Sequence, residues 1–196
     1  MKPNTLFWLL AFSVLLALGG CCKPEIIGNV PNTLRPQETN NWCWAAVTQM
    51  LAQHFSISVA QCDLANHRFG KTNCCNPQTP GANCPKTNDC NTPGWLELDF
   101  AGLTFEETTT ALSWADVRKQ IFCSKKPMGY AYGTPGVVGH VVVIKGYVAV
   151  GSTLYVVLND PWSPCSGTER LLEYNSYVDP PGTSTHWRTW YNLKKK

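Results

Sequence analysis

Gln37 and Cys43 stand six residues apart in the run Gln37-Glu38-Thr39-Asn40-Asn41-Trp42-Cys43-Trp44-Ala45-Ala46. A glutamine amide can donate to a developing oxyanion, and a cysteine in the first turn of a helix gains thiolate character from the helix dipole. His140, far downstream, can serve as general base and acid, and as imidazolium it would depress the thiol pKa by ion pairing. Asp160 can accept a hydrogen bond from the other ring nitrogen and so fix the tautomer. Gln37, Cys43, His140 and Asp160 are therefore the candidate catalytic residues of a cysteine hydrolase. Trp42, Trp44 and Trp162 flank them and are candidate substrate-binding residues; Trp162 could also shield the His140–Asp160 bond from water.

Each of these residues has a plainer reading. Cys43 could be one more disulfide partner, although flanking tryptophans and a helix start argue otherwise. His140 alone would suit a core or edge position, and its pairing with Asp160 is what favours catalysis. Asn159 competes with Asp160 as orienter, the two pointing to opposite faces of a strand. His54, His67 and His186 lie in polar or loop contexts that suit surface roles.

Positioning this set requires a helix and a hairpin. Ala46, Val47, Met50, Leu51 and Phe55 recur at helical spacing, which predicts a helix from about Trp42 to Phe55 with Asn40 or Asn41 as its cap. A second short helix is predicted over 59–67, loop over Gly70 to Gly94, and a helix over Trp114 to Phe122, capped by Ser113 and burying Trp114, Val117 and Ile121. Val137 to Tyr147 and Thr153 to Leu158 are runs of β-branched residues. A three-residue loop, Ala149-Val150-Gly151, would join them as a hairpin. Pairing Val148 with Ser152 then sets His140 directly across from Asp160, and a bulge would shift this by one residue. Leu171 to Leu193 is expected to add further strands.

The ends of the chain suggest export. Lys2 and the apolar stretch Leu6 to Leu18 read as a signal peptide over 1–20, too short to span a bilayer comfortably. Leu18-Gly19-Gly20-Cys21 has the form of a bacterial lipobox, so Cys21 is the candidate lipidation site and its acyl chains would anchor the protein to a membrane. The alternative is ordinary cleavage and release of a soluble protein. Residues 21–35 read as a linker and 36–196 as one catalytic domain with a Cys-rich insert over 62–90.

The 196 residues carry a net charge of +3 and only 15% charged residues, which gives no reason to expect nucleic acid as a partner. Ten cysteines in an exported chain predict disulfides. The candidates are Cys62, Cys74, Cys75, Cys84, Cys90, Cys123 and Cys165, with Cys22 left unassigned. Zinc held by Cys74, Cys75, Cys84, Cys90 and His67 is disfavoured because no Cys-x-x-Cys pair is present. No phosphate loop or dinucleotide fingerprint appears, so neither cofactor nor metal is expected. The chain is read as a monomer.

From about residue 31 to 193 the chain resembles the papain-like cysteine peptidases, most closely their compact bacterial branch of staphopains and plant-pathogen avirulence proteases. The resemblance rests on Gln37 six before Cys43, on Asn41-Trp42-Cys43-Trp44-Ala45-Ala46, on Gly139-His140-Val141-Val142-Val143-Ile144 and on Asp160-Pro161-Trp162. It implies an α+β fold in which an N-terminal helical subdomain carrying Cys43 packs on a C-terminal antiparallel β-sheet or half-barrel carrying His140 and Asp160. It also implies an endopeptidase acting on peptide or protein substrates through a thioester, with Gln37 in the oxyanion hole. Papain has Gly and a small residue where this chain has Asn41 and Trp42, and Asn where Asp160 stands. Two rivals remain at this point: a transamidase or amidase using the same site, and an inactive disulfide-stapled binding module.

Overall fold

The structure, a computed structural model, describes residues 22–76 and 89–196. The proposed signal peptide, Cys21 and Cys84 lie outside the described residues. Seven strands form one antiparallel sheet among the described residues: β1 (Ile27–Asn29), β2 (Leu103–Thr108), β3 (Met128–Gly133), β4 (His140–Val150), β5 (Thr153–Asp160), β6 (Thr168–Glu173) and β7 (Thr185–Lys195). The order across the sheet is β2-β7-β3-β4-β5-β6. The long strand β4 is shared: its first half pairs with β3 and its second half with β1. The stretch expected to be a linker thus contributes a strand, and Cys22 is disulfide-bonded to Cys123.

Helix α1 (Cys43–His54) covers one face of the sheet, and helix α2 (Gln61–Phe69) packs against α1. Trp44, Met50 and Leu51 of α1 pack with Ala131, Val141 and Val143 of the sheet, all essentially inaccessible. Burying each such leucine- or methionine-sized side chain stabilises the fold by about 1.5–3 kcal/mol. The other face is covered by α3 (Trp114–Arg118), its π-helical continuation Lys119–Cys123, and α4 (Tyr174–Val178), with Val142, Ile144, Val156 and Leu158 beneath them. Both faces of β4 are therefore buried, which is why its sequence reads as a nearly unbroken apolar run rather than an alternation.

Several expectations shift. No side chain caps α1, whose N-cap is Trp42. Asn41 is drawn away, its Nδ2 donating to the Asn91 carbonyl. Helix α2 begins and ends two residues later than expected and stops at Gly70 in the left-handed conformation, φ 61°. Ser113 does cap α3, accepting from the Asp116 N–H at 3.2 Å, and Val117 and Ile121 are buried.

The hairpin register differs most. Val150 pairs with Thr153, so the loop is the two residues Gly151-Ser152 rather than three. A bulge at Lys145 then shifts the pairing, and the ladder ends at Val143 opposite Asn159. Continued one step, Asp160 would face Val142, so His140 is its diagonal neighbour on the same face and not its direct partner.

Disulfide Cys62–Cys75 binds α2 to the segment that follows, Cys74–Cys90 joins that segment to the Cys90–Thr92 stretch, and Cys165 is disulfide-bonded as well. Cys74, Cys75 and Cys90, weighed above as zinc ligands, are consumed by these bonds. No helix among the described residues is long and apolar enough to cross a membrane.

Candidate active site

Cys43 is the one free cysteine among the described residues and stands as the first residue of α1, buried with 8% of its surface exposed. With no capping side chain and no acidic residue in the first turn, the positive end of the helix is left to act on the thiol. The loop that delivers it is fixed from outside. Asn91 Oδ1 accepts from Thr39 Oγ1 at 2.9 Å and from the Asn41 N–H at 2.8 Å. Trp42 Nε1 donates to the Cys90 carbonyl at 2.8 Å and Trp44 Nε1 to the Thr92 carbonyl at 3.2 Å.

These bonds correct the reading of Trp42 and Trp44 as substrate-binding residues. Both indoles are fully buried and serve as pins between α1 and the Cys90–Thr92 segment. Trp162 is half exposed and stands outside the cleft walls, and its main-chain N–H donates to Asp160 Oδ1 at 3.0 Å.

His140 opens β4 and bridges the other two groups. Its Nε2 is 2.6 Å from Asp160 Oδ1, and its ring is also hydrogen-bonded to Cys43. Burial disfavours the charged imidazole, but the bonds to Asp160 and Cys43 and their negative charge prevail and raise its pKa to about 9. Burial likewise opposes ionisation of Asp160, yet hydrogen bonds from His140, the Trp162 N–H and Arg170 hold it below the usual carboxylate value. Asn159, the competing orienter, faces the other side of the sheet, where its Nδ2 donates to the carbonyl and Oδ1 of Asn32.

Gln37 is buried beside this set, but its amide is occupied. Nε2 donates to the Thr39 carbonyl at 2.7 Å and the Asn40 carbonyl at 2.8 Å, while Oε1 is buried without a partner. In this arrangement its amide braces the loop that leads to Cys43. His186, expected at the surface, is half-buried against Tyr130 and Tyr177 and joins Thr189 and the Tyr177 carbonyl through its two ring nitrogens.

A cleft of about 380 Å³ opens on Cys43, walled by Asn41, Gly94, Trp95, Gly139 and Trp187 among others. Gly139 allows the Trp187 ring to lie against the chain just before His140: a Cβ there would stand 2.1 Å from the indole. Asn91, Trp95, Trp187 and Arg170 were not foreseen from sequence. A Pro-Gly-Trp string at 93–95 was the available signal for one wall; the rest depend on which strands become neighbours.

Among solved structures the chain is similar to one described in work on antibody cross-reactivity between the mite allergens Blo t 1 and Der p 1. The two share 12% identity at a TM-score of 0.54, over 89% of this chain and 73% of that one. At that identity the likeness concerns the fold, which is papain-like, with helices N-terminal and strands C-terminal. No curated protein matches the sequence. Residues 29–178 match the model of the Peptidase_C39 like family, and with most of its length inside that match the chain belongs to this family and is a cysteine peptidase.

Proposed function

We propose that the protein is an exported endopeptidase that cuts peptide bonds through a thioester acyl-enzyme. The observation that carries this reading is the placement of His140 between the free thiol of Cys43 and the carboxylate of Asp160, at the edge of a cleft. Thiolate attack on the scissile carbonyl would form a C–S bond and an oxyanion. His140 would pass its proton to the leaving amine as the C–N bond breaks, and then take one from the water that hydrolyses the thioester. Asp160 would hold the imidazole in orientation throughout.

The first-turn main-chain N–H of Cys43 would serve the oxyanion, with Gln37 joining by exchanging one of its two carbonyl acceptors for the substrate. The occupied amide makes Gln37 the residue of this set with the least direct part. Disulfides agree with an oxidising, extracytoplasmic setting. Lipidation at Cys21, a place in the compact staphopain-like branch and a monomeric state belong to the same proposal. Cys43→Ala should abolish hydrolysis of a denatured-protein substrate while leaving circular dichroism unchanged. Retained turnover would sink the assignment.

A further inference from the structure

Four neighbouring strands each contribute one side chain to a row that runs across one sheet face: Tyr132 from β3, His140 from β4, Asp160 from β5 and Arg170 from β6. Asp160 is almost fully buried and accepts three bonds. Oδ1 takes His140 Nε2 and the Trp162 N–H, while Oδ2 takes Arg170 Nε at 2.9 Å. The same guanidinium donates through its Nη2 to Tyr132 Oη at 3.2 Å, and the Tyr132 ring meets the His140 ring edge-on with centroids 5.8 Å apart. The planar guanidinium fork holds the carboxylate and the phenol at once through two donors of fixed relative direction, which the single ammonium of lysine would not reproduce.

We propose that Arg170 is the positioning residue of this site: it locks Asp160 so that Oδ1 faces His140, and it offsets part of the carboxylate charge that His140 would otherwise feel in full. This rests on the reading of Cys43, His140 and Asp160 as the reacting set. The part of the Asp160 charge that Arg170 leaves uncompensated still favours the imidazolium, and the Arg170 bond adds a fixed orientation. Without Arg170, Oδ2 would be a buried acceptor with no donor, and the unbalanced carboxylate would hold the imidazolium proton more tightly. The titratable and charged groups facing His140 are Cys43 from α1, Tyr132 with Tyr130 behind it from β3, Asp160 from β5 and Arg170 from β6.

Two readouts separate positioning from mere packing. Nitrogen NMR of His140 in the intact protein should show its titration moved upward by about half a unit or more in Arg170→Gln, and far less in Arg170→Lys, which keeps the charge. An unmoved titration, or equal movement in both variants, would overturn the proposal. In hydrolysis assays Asp160→Asn should lose about 10²-fold. Its new amide must set an N–H against Arg170 Nε–H or turn its oxygen away from His140. Adding Arg170→Gln removes that conflict and should recover about tenfold; additive or greater loss contradicts the proposal. The NMR readout needs no turnover. An inactive wild-type protein would therefore refute the peptidase reading, while the titration of His140 would still decide the role of Arg170.

Discussion

Cys43 and His140 face each other across the site, yet the helix end that carries the first and the strand end that carries the second are held by different forces. Around Cys43 the loop is pinned from outside its own helix, by Asn91, by two indole N–H groups and by carbonyls lying at or just after the Cys74–Cys90 disulfide. Around His140 the fixing is lateral and charged, through Asp160 and Arg170 on adjacent strands. The neutral arm should respond to cuts in packing and covalent bonds; the charged arm should respond to pH.

The sharpest break is at the meeting point. Cys43→Ala or His140→Ala should lower kcat/KM by on the order of 10⁴-fold or more with the fold retained, measured by steady-state hydrolysis beside circular dichroism. On the neutral arm, Trp42→Ala removes a fully buried indole and its bond to the Cys90 carbonyl, and should cost about 3–5 kcal/mol in urea unfolding. The half-exposed Trp162 offers the control: Trp162→Ala keeps the main-chain N–H on Asp160 and should change stability by less than about 1 kcal/mol. Between them lies Cys74→Ser with Cys90→Ser, which should cost about 2–4 kcal/mol and lower activity by loosening Asn91. Equal losses at Trp42 and Trp162 would erase the distinction between a pin and a surface ring.

The charged arm gives the smallest but most specific effect. Because the folded His140 pKa is raised from 6.5 to about 9, its ion pairing stabilises the fold fully below pH 6.5 and is lost as pH rises through about 9. Activity should fall over the same alkaline range, and the stability change should vanish in His140→Ala. A profile that falls near pH 6.5 instead would mean that Asp160 and Cys43 do not hold the charge.

The neutral arm was partly legible in the sequence because helix spacing is local: Cys43 opens α1 as its apolar period predicts. Its pins were not, since Asn91 lies 50 residues from Asn41 and no periodicity joins them. Trp42 and Trp44, next to the nucleophile in sequence, point into the core because consecutive residues at a helix start diverge, so proximity along the chain misassigned both. On the charged arm, His140 and Asp160 were found as neighbours although the register was wrong. The loop is one residue shorter than expected and Lys145 bulges, and together these turn a direct pair into a diagonal one. Side-chain length closed the gap. Strands β2 and β3 gave no clear signal, and Arg170 could not be read at all, because its role depends on β6 lying beside β5.

The most direct test is brief treatment of the folded protein with iodoacetamide at mildly acidic pH, read by mass spectrometry beside His140→Ala. Ordinary thiols, with a pKa of about 8.5, are protonated and slow under these conditions. Fast labelling at Cys43 alone that disappears in His140→Ala is the expected result. Slow labelling of Cys43, or labelling indifferent to His140, would contradict the thiolate–imidazolium pair on which the account depends.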